Sequence, residues 1–196
     1  CHLARGSIVV KTGDRVEAGR PLAKVGLSGN TEYPHLHLTV RRNGVTIDPF
    51  APTSDAACDP GANPGSSLWD PATGRKLAYQ QGSVLNIGFS AVPVSGEAVE
   101  AGGIAAPTAD SPMLIAYVRA IRLRPGDVQV ATLSDPAGQV LARSQLAPLD
   151  RDKAQYLVYV GKKRPAGGWP RGRYTFTYTV ERGVVVVVER QAHIKL

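Results

Sequence analysis

Aromatic residues are scarce in this chain, at 6% of 196 residues, and cysteine is scarcer, with only Cys1 and Cys58. Two cysteines are too few for a disulfide-stapled scaffold, and they lack the C-x-x-C spacing of a zinc half-site. No run of about 18 apolar residues occurs, which excludes a membrane-spanning helix. Long amphipathic helical patterns are missing as well. Acidic residues are in the minority, 16 against 23 basic ones for a formal charge of +7, so the surface favours polyanions: nucleic acid, anionic lipid or the acidic groups of a cell wall. Charge alone does not choose among them.

What is present in quantity is glycine (21) and proline (15), set between short apolar segments, against a hydrophobic content of 43%. That fraction supports a packed core, and the punctuation favours an all-β architecture. The length allows one large domain or two small ones. Residues 1–52 read as short strands and tight turns, with strands expected at Ser7–Lys11, Leu22–Val25, Leu36–Arg42 and Val45–Asp48. Asn43-Gly44 is the pair a two-residue hairpin turn prefers. Residues 53–83 open on a stretch rich in Pro, Gly, Ala and Ser and read as a linker. Residues 84–196 read as an accessory β-sandwich of immunoglobulin-like type, with strands expected at Met113–Leu123, Asp127–Ser134, Gln139–Ser144, Gln155–Val160 and Tyr174–Val180. The last of these alternates Tyr174, Phe176, Tyr178 and Val180 with Thr175, Thr177 and Thr179, so one face should be buried. Val184–Val188 is apolar on both faces and predicts a central strand, since at an edge it would invite aggregation.

Two of the four histidines sit in Pro34-His35-Leu36-His37-Leu38-Thr39-Val40. In an extended strand His35, His37 and Thr39 share one face while Leu36, Leu38 and Val40 pack on the other. Two imidazoles aimed at one point suit a metal ion with a neighbouring acid/base group, and the residues alone point to a three-histidine zinc site from His2, His35 and His37. The plain alternative is two surface histidines on an amphipathic strand.

The surroundings are more specific. Gly26-Leu27-Ser28-Gly29-Asn30-Thr31-Glu32-Tyr33-Pro34-His35-Leu36-His37 resembles the G-x-S/T-G-x-S/T-x-G-P-H-L-H signature of lysostaphin/LytM-type zinc metallopeptidases, peptidase family M23. Cys1-His2-Leu3 is similar to that family's Tyr-Ala-His-Leu segment, Gly13–Leu22 to its G-D-x-V-x-x-G-x-x-I turn and strand, and Asp48-Pro49 to its usual exit. The resemblance covers residues 1–50. It implies the C-terminal part of an M23 peptidase domain, a partial duplicated-hybrid-motif antiparallel β fold, followed by the sandwich. It also implies a metalloendopeptidase that hydrolyses peptide bonds of bacterial peptidoglycan, with one Zn²⁺, in the periplasm, the cell envelope or secreted. His37 becomes a zinc ligand, and His35 and His2 become the non-ligand active-site imidazoles. Zinc lowers the pKa of its bound water toward about 7, and a flanking imidazole can carry the proton to the leaving amine.

The chain departs from the family at informative places. A catalytic zinc needs about three protein ligands, and the family takes two from a His-x-x-x-Asp motif that would lie before Cys1. His2 is followed by Gly6 at the Asp position, and His193 is far from the motif. Either the chain begins part-way through the peptidase domain or it is a non-catalytic LytM-like module that binds wall or regulates a partner. A domain without its first strands should expose apolar edges. Tyr33 stands where the family has Gly and Glu32 where it has Thr, so the substrate loop is bulkier and more acidic. Ser28, Asn30, Thr31 and Tyr33 are the candidate peptide-binding residues, though the first three could equally just shape the turn.

Cys1 and Cys58 are candidates for a disulfide. Trp69 and Trp169 read as packing residues, and Tyr174 as the hydroxyl of a sandwich corner. Lys162-Lys163-Arg164 with Arg171 and Arg173 reads as a solvated basic face or a contact for anionic envelope polymers; the aromatic spacing of nucleic-acid modules is lacking. A biotinyl- or lipoyl-type carrier is disfavoured, because Lys11 and Lys24 fall within strand patterns and not at a hairpin tip.

Overall fold

Asn43 (φ 51°) and Gly44 (φ 82°) both take left-handed backbone, which is the type I′ turn, and fold β1 (Val40–Arg42) back onto β2 (Val45–Ile47). The Asn-Gly hairpin is therefore where the sequence places it, with shorter arms. The computed structural model describes residues 1–31, 33–52 and 67–196 and divides into two compact units, Cys1–Ala78 and Tyr79–Leu196.

In the first unit, Ser7–Lys11 and Leu22–Val25 run side by side but are not regular strands. Backbone bonds join Ala4 N to Lys24 O (2.8 Å) and Val9 N to Leu22 O (2.9 Å), and Leu3 bridges Val25. Between them the Ser7 hydroxyl accepts from Lys24 N at 3.0 Å and donates to Ala4 O at 2.7 Å, so a side chain occupies a rung that a ladder would give to backbone. Leu36 and Leu38, expected to pack beneath the histidine strand, are 64% and 53% exposed. Ile8, Val9, Leu22 and Val25 are exposed too, because no second layer covers them among the described residues. A six-residue helix, α1 (Pro71–Lys76), lies within the stretch read as linker, with Pro71 opening its first turn and Asp70 accepting from Ala72 and Thr73 N–H. Leu68 N donates to Pro49 O (2.8 Å) and Trp69 meets Phe50 at 6.0 Å, which ties residues 67–70 to the hairpin exit. Cys58 lies outside the described residues; Cys1 is exposed.

The second unit contains β3 (Ser83–Ser90), α2 (Gly96–Ala101), β4 (Met113–Leu123), β5 (Asp127–Ser134), β6 (Val140–Gln145), β7 (Lys153–Lys163), β8 (Arg173–Arg182) and β9 (Val185–Lys195). These form two antiparallel sheets, ordered β3-β4-β7 and β6-β5-β8-β9, around one core. The period-two pattern decides which side chains are inside. Leu114, Ala116, Val118 and Ala120 of β4 and Tyr174, Phe176, Tyr178 and Val180 of β8 are all at 0% exposure. Phe89 of β3 meets Phe176 edge-on at 6.4 Å, joining the sheets. Burying each large apolar side chain contributes about 1.5–3 kcal/mol, so these two strands dominate the core. At the corner Tyr174 Oη donates to Pro170 O (2.8 Å), the bond expected of it, and buried Trp169 donates Nε1 to Ser111 O (2.8 Å).

In this unit the expectation for the valine run fails. The valine run does not form a central strand, because β9 ends the four-stranded sheet and pairs with β8 alone within it. Val184, Val185 and Val186 are 102%, 57% and 50% exposed, while only Val188 turns fully into the core. Apolarity on both faces suggests burial on both, but β3 of the other sheet, which lies close to β9, leaves Val184, Val185 and Val186 open to solvent.

Candidate active site

Three backbone ties hold His2 in place, one to the His35–His37 segment and two to Val25 and Gly26. Cys1 N donates to His37 O (2.7 Å), Gly26 N donates to His2 O (2.8 Å), and Leu3 bridges Val25. His2 itself holds φ 59°, a left-handed conformation that costs a histidine of order 1 kcal/mol or more and is held here by those ties. Its ring lies 4.6 Å from the His35 ring and 5.7 Å from the His37 ring, centroid to centroid. Three of the four histidines thus meet, from positions 35 residues apart in the sequence.

The hydrogen bonds fix two of the rings. A carbonyl only accepts, so His2 Nδ1 must carry the proton it gives to Ser28 O at 2.8 Å. Gly29, beside that contact, holds φ +81°, a left-handed backbone conformation that favours glycine. His35 Nδ1 lies 3.0 Å from Tyr33 O and 3.1 Å from Thr31 Oγ1, and the Thr31 hydroxyl donates to Tyr33 O at 2.8 Å. His35 Nδ1 is therefore also a donor, and in the neutral form of either ring the lone pair lies on Nε2. The Tyr33 ring stands 5.3 Å from that of His35. His37 is exposed, and its Nε2 lies 3.4 Å from Thr39 Oγ1, leaving Nδ1 free. Thr39 was placed on the histidine face by periodicity, but no role was read for it. The i, i+2 spacing to His37 was the available signal.

The three-histidine zinc site suggested by the residues alone does not form. Among the described residues no group of three His, Cys, Asp or Glu side chains is placed to hold a metal ion. The reason is geometric: His2 and His37 are stacked at 27° and present ring faces to each other instead of aiming lone pairs at one point. The candidate peptide-binding residues are divided. Ser28, Thr31 and Tyr33 hold the imidazoles, Ser28 and Tyr33 through their carbonyls, whereas Asn30 is exposed at the loop surface.

A match to the model described as peptidase family M23 spans residues 1–49, the segment that carries all three rings. Residues 1–49 are similar to that family. Among solved structures, a glycosyl hydrolase family 2 member from Bacteroides cellulosilyticus aligns with 45% of this chain and 13% of its own, at 16% identity and TM-score 0.34. A putative beta-galactosidase from Bacteroides fragilis aligns over 43% of this chain and 14% of its own, at 16% identity and TM-score 0.32. This chain thus spans about a seventh of those proteins or less, and a likeness at that level bears on neither fold nor function. The M23 family is zinc-dependent in general, and the described residues of this segment do not by themselves make up a whole zinc site. Among the described residues no helix is long and apolar enough to cross a membrane.

Proposed function

We propose that this chain is the part of an M23-type zinc metalloendopeptidase that supplies His37 to the metal and His35 and His2 as acid/base imidazoles. Its substrate in this reading is the peptide of bacterial peptidoglycan, at the cell envelope or outside it. The observation that carries the reading is the His2–His35–His37 cluster, with Nδ1 of two rings tied to backbone carbonyls. A ring fixed in that tautomer offers Nε2 as a proton acceptor and, once protonated, as a donor to a leaving amine. Cys1–Cys58 pairing and a boundary at 52/53 with a linker to 83 belong to the same reading. The described residues do not complete a zinc site, so the other ligands must come from elsewhere in the protein.

The second reading is a non-catalytic LytM-like module that binds wall or regulates a partner. It is favoured by that same missing ligand set.

The test uses the full gene product. Zinc per chain is read by elemental analysis, and peptides released from purified peptidoglycan are read by mass spectrometry. The peptidase reading expects about one zinc per chain, loss of both zinc and cleavage in His37→Ala, and cleavage lowered about 10²–10⁴-fold with zinc retained in His35→Ala. A wild-type protein with neither zinc nor cleavage transfers the conclusion to the second reading. Undiminished cleavage by metal-free protein would overturn the mechanism.

A further inference from the structure

We propose that the outer face of the β6-β5-β8-β9 sheet binds an oxyanion, a carboxylate or a phosphate, borne on a hydroxyl-rich chain, at the end where β8 begins and β9 finishes. This stands apart from the peptidase reading, since every residue in it belongs to the second unit.

Register and period two assemble the face. Because Tyr174, Phe176 and Tyr178 point into the core, Arg173, Thr175 and Thr177 point outward. Opposite them on β9 stand Lys195, His193 and Gln191. On the other side β5 sets Ser134 against Thr175 and Thr132 against Thr177, and β6 sets Arg143 against Thr132. The result is a floor of hydroxyl and amide groups with cations at its rim. A cavity of about 380 Å³, lined by Arg173, His193, Ile194 and Lys195, opens at that end, a size suited to a small ligand or one unit of a chain.

The charges make the case. Arg173 and Lys195 are a directly opposed cross-strand pair, and like charges so placed destabilise a sheet. Neither forms an ion pair among the described residues. Asp135, in the turn at this end of the sheet, gives its Oδ1 to Ala137 and Gln139 N–H. Glu189, the acid on β9, sits opposite Thr179 toward the other end of the face. By contrast Arg164, in the basic run singled out from the sequence, is paired with Asp110 at 3.3 Å, and Lys162 and Lys163 lie on β7 of the other sheet. His193 Nδ1 contacts Thr175 Oγ1 at 3.1 Å, which holds the ring beside the two cations with Nε2 available. An oxyanion here would receive a guanidinium fork, an ammonium and an imidazole, and would remove the repulsion between the strands.

The test titrates the 196-residue chain with four probes while following amide shifts by NMR. The probes are oligogalacturonate, oligo(glycerol phosphate), neutral dextran oligomers and a single-stranded oligodeoxynucleotide. Expected is binding of one or both anionic oligomers, with shifts at Arg173, Thr175, His193 and Lys195 and none with dextran; which oligomer binds identifies carboxylate or phosphate as the source. Arg173→Gln/Lys195→Gln should weaken binding about ten-fold or more with an unchanged or higher melting temperature. Lys162→Gln/Lys163→Gln, which removes the same charge from the other sheet, should change it less than about two-fold. Three results would overturn the proposal: no binding of either anionic oligomer, equal weakening by both double variants, or an equally tight oligonucleotide at the same residues.

Discussion

Replacing Arg182 by Met tests the strongest polar contact in the sandwich. Asp127 is at 0% exposure, and its carboxylate accepts from Arg182 Nε (2.7 Å), Arg182 Nη2 (2.9 Å) and Arg124 N (2.8 Å). Burial pushes this carboxyl up, but the Arg182 guanidinium and the Arg124 N–H outweigh it and hold the group below the usual carboxylate range. Methionine keeps the aliphatic stem and removes two of the three donors. Breaking a buried pair costs about 3–5 kcal/mol, and because the Arg182 side chain is 23% exposed, water can reach the vacated position, so about 2–4 kcal/mol is expected near pH 7.

The pH dependence follows from the signs. In the wild type the folded value lies below the unfolded one, so the stabilisation is present above about pH 4 and is lost as pH falls through the folded value. In the variant only the Arg124 N–H and charge still oppose burial, so the folded value is expected to rise above the unfolded one. Its penalty is then absent below about pH 4 and grows as pH rises toward the new folded value. The gap between the two proteins should be widest at neutral pH and narrow toward acid. Denaturant unfolding followed by Trp169 fluorescence in a Trp69→Phe background reads this in the second unit alone. A gap under about 0.5 kcal/mol at pH 7, or one that does not change with pH, would refute the reasoning.

Two smaller changes probe the rest of the sandwich. Tyr178 Oη donates to Gln129 Oε1 at 2.7 Å, and Gln129 Nε2 has no hydrogen-bond partner among the described residues, so Tyr178→Phe leaves a buried amide without that bond and should cost about 1–3 kcal/mol in the same unfolding experiment. Val185→Lys places a charge on the free edge of β9 and should lower light scattering on concentration while changing stability by less than about 0.5 kcal/mol; a loss comparable to a core truncation would show that the edge is buried after all.

The parts of the fold legible in the sequence are those where one local rule decides the outcome. Asn43-Gly44 names its turn type, and Tyr174 to Val180 names its buried face, because each rests on backbone geometry or a period of two. Sheet position obeys no such rule. Val185–Val187 has the composition of a central strand and lies at an edge, since the order of strands is set by which neighbours close the core, not by the strand itself. Leu36 and Leu38 alternate as a half-buried strand should, yet alternation shows only which face is apolar, not that a layer covers it. At the candidate site, spacing brought His35 and His37 to one side and the residues alone grouped His2 with them, while the family motif assigned the three different roles. What neither supplied was ring orientation: that Ser28 and Tyr33 carbonyls hold two tautomers, and that His2 and His37 stack, depends on loop conformations across the gap in sequence.

The order of strands also bears on how the chain is made. β4 pairs with β3 and β7, and β5 pairs with β6 and β8, so each sheet joins elements separated by long intervening segments, a topology in which loop-closure entropy must be overcome before long-range pairing is rewarded and folding is correspondingly slow. During synthesis β4 and β5 wait for partners that have not yet emerged. β9 does not: it follows β8 directly, after every other strand of its sheet. The stretch most able to pair with a stranger is thus produced when its own neighbour is already in place, which shortens the time it spends without a strand beside it.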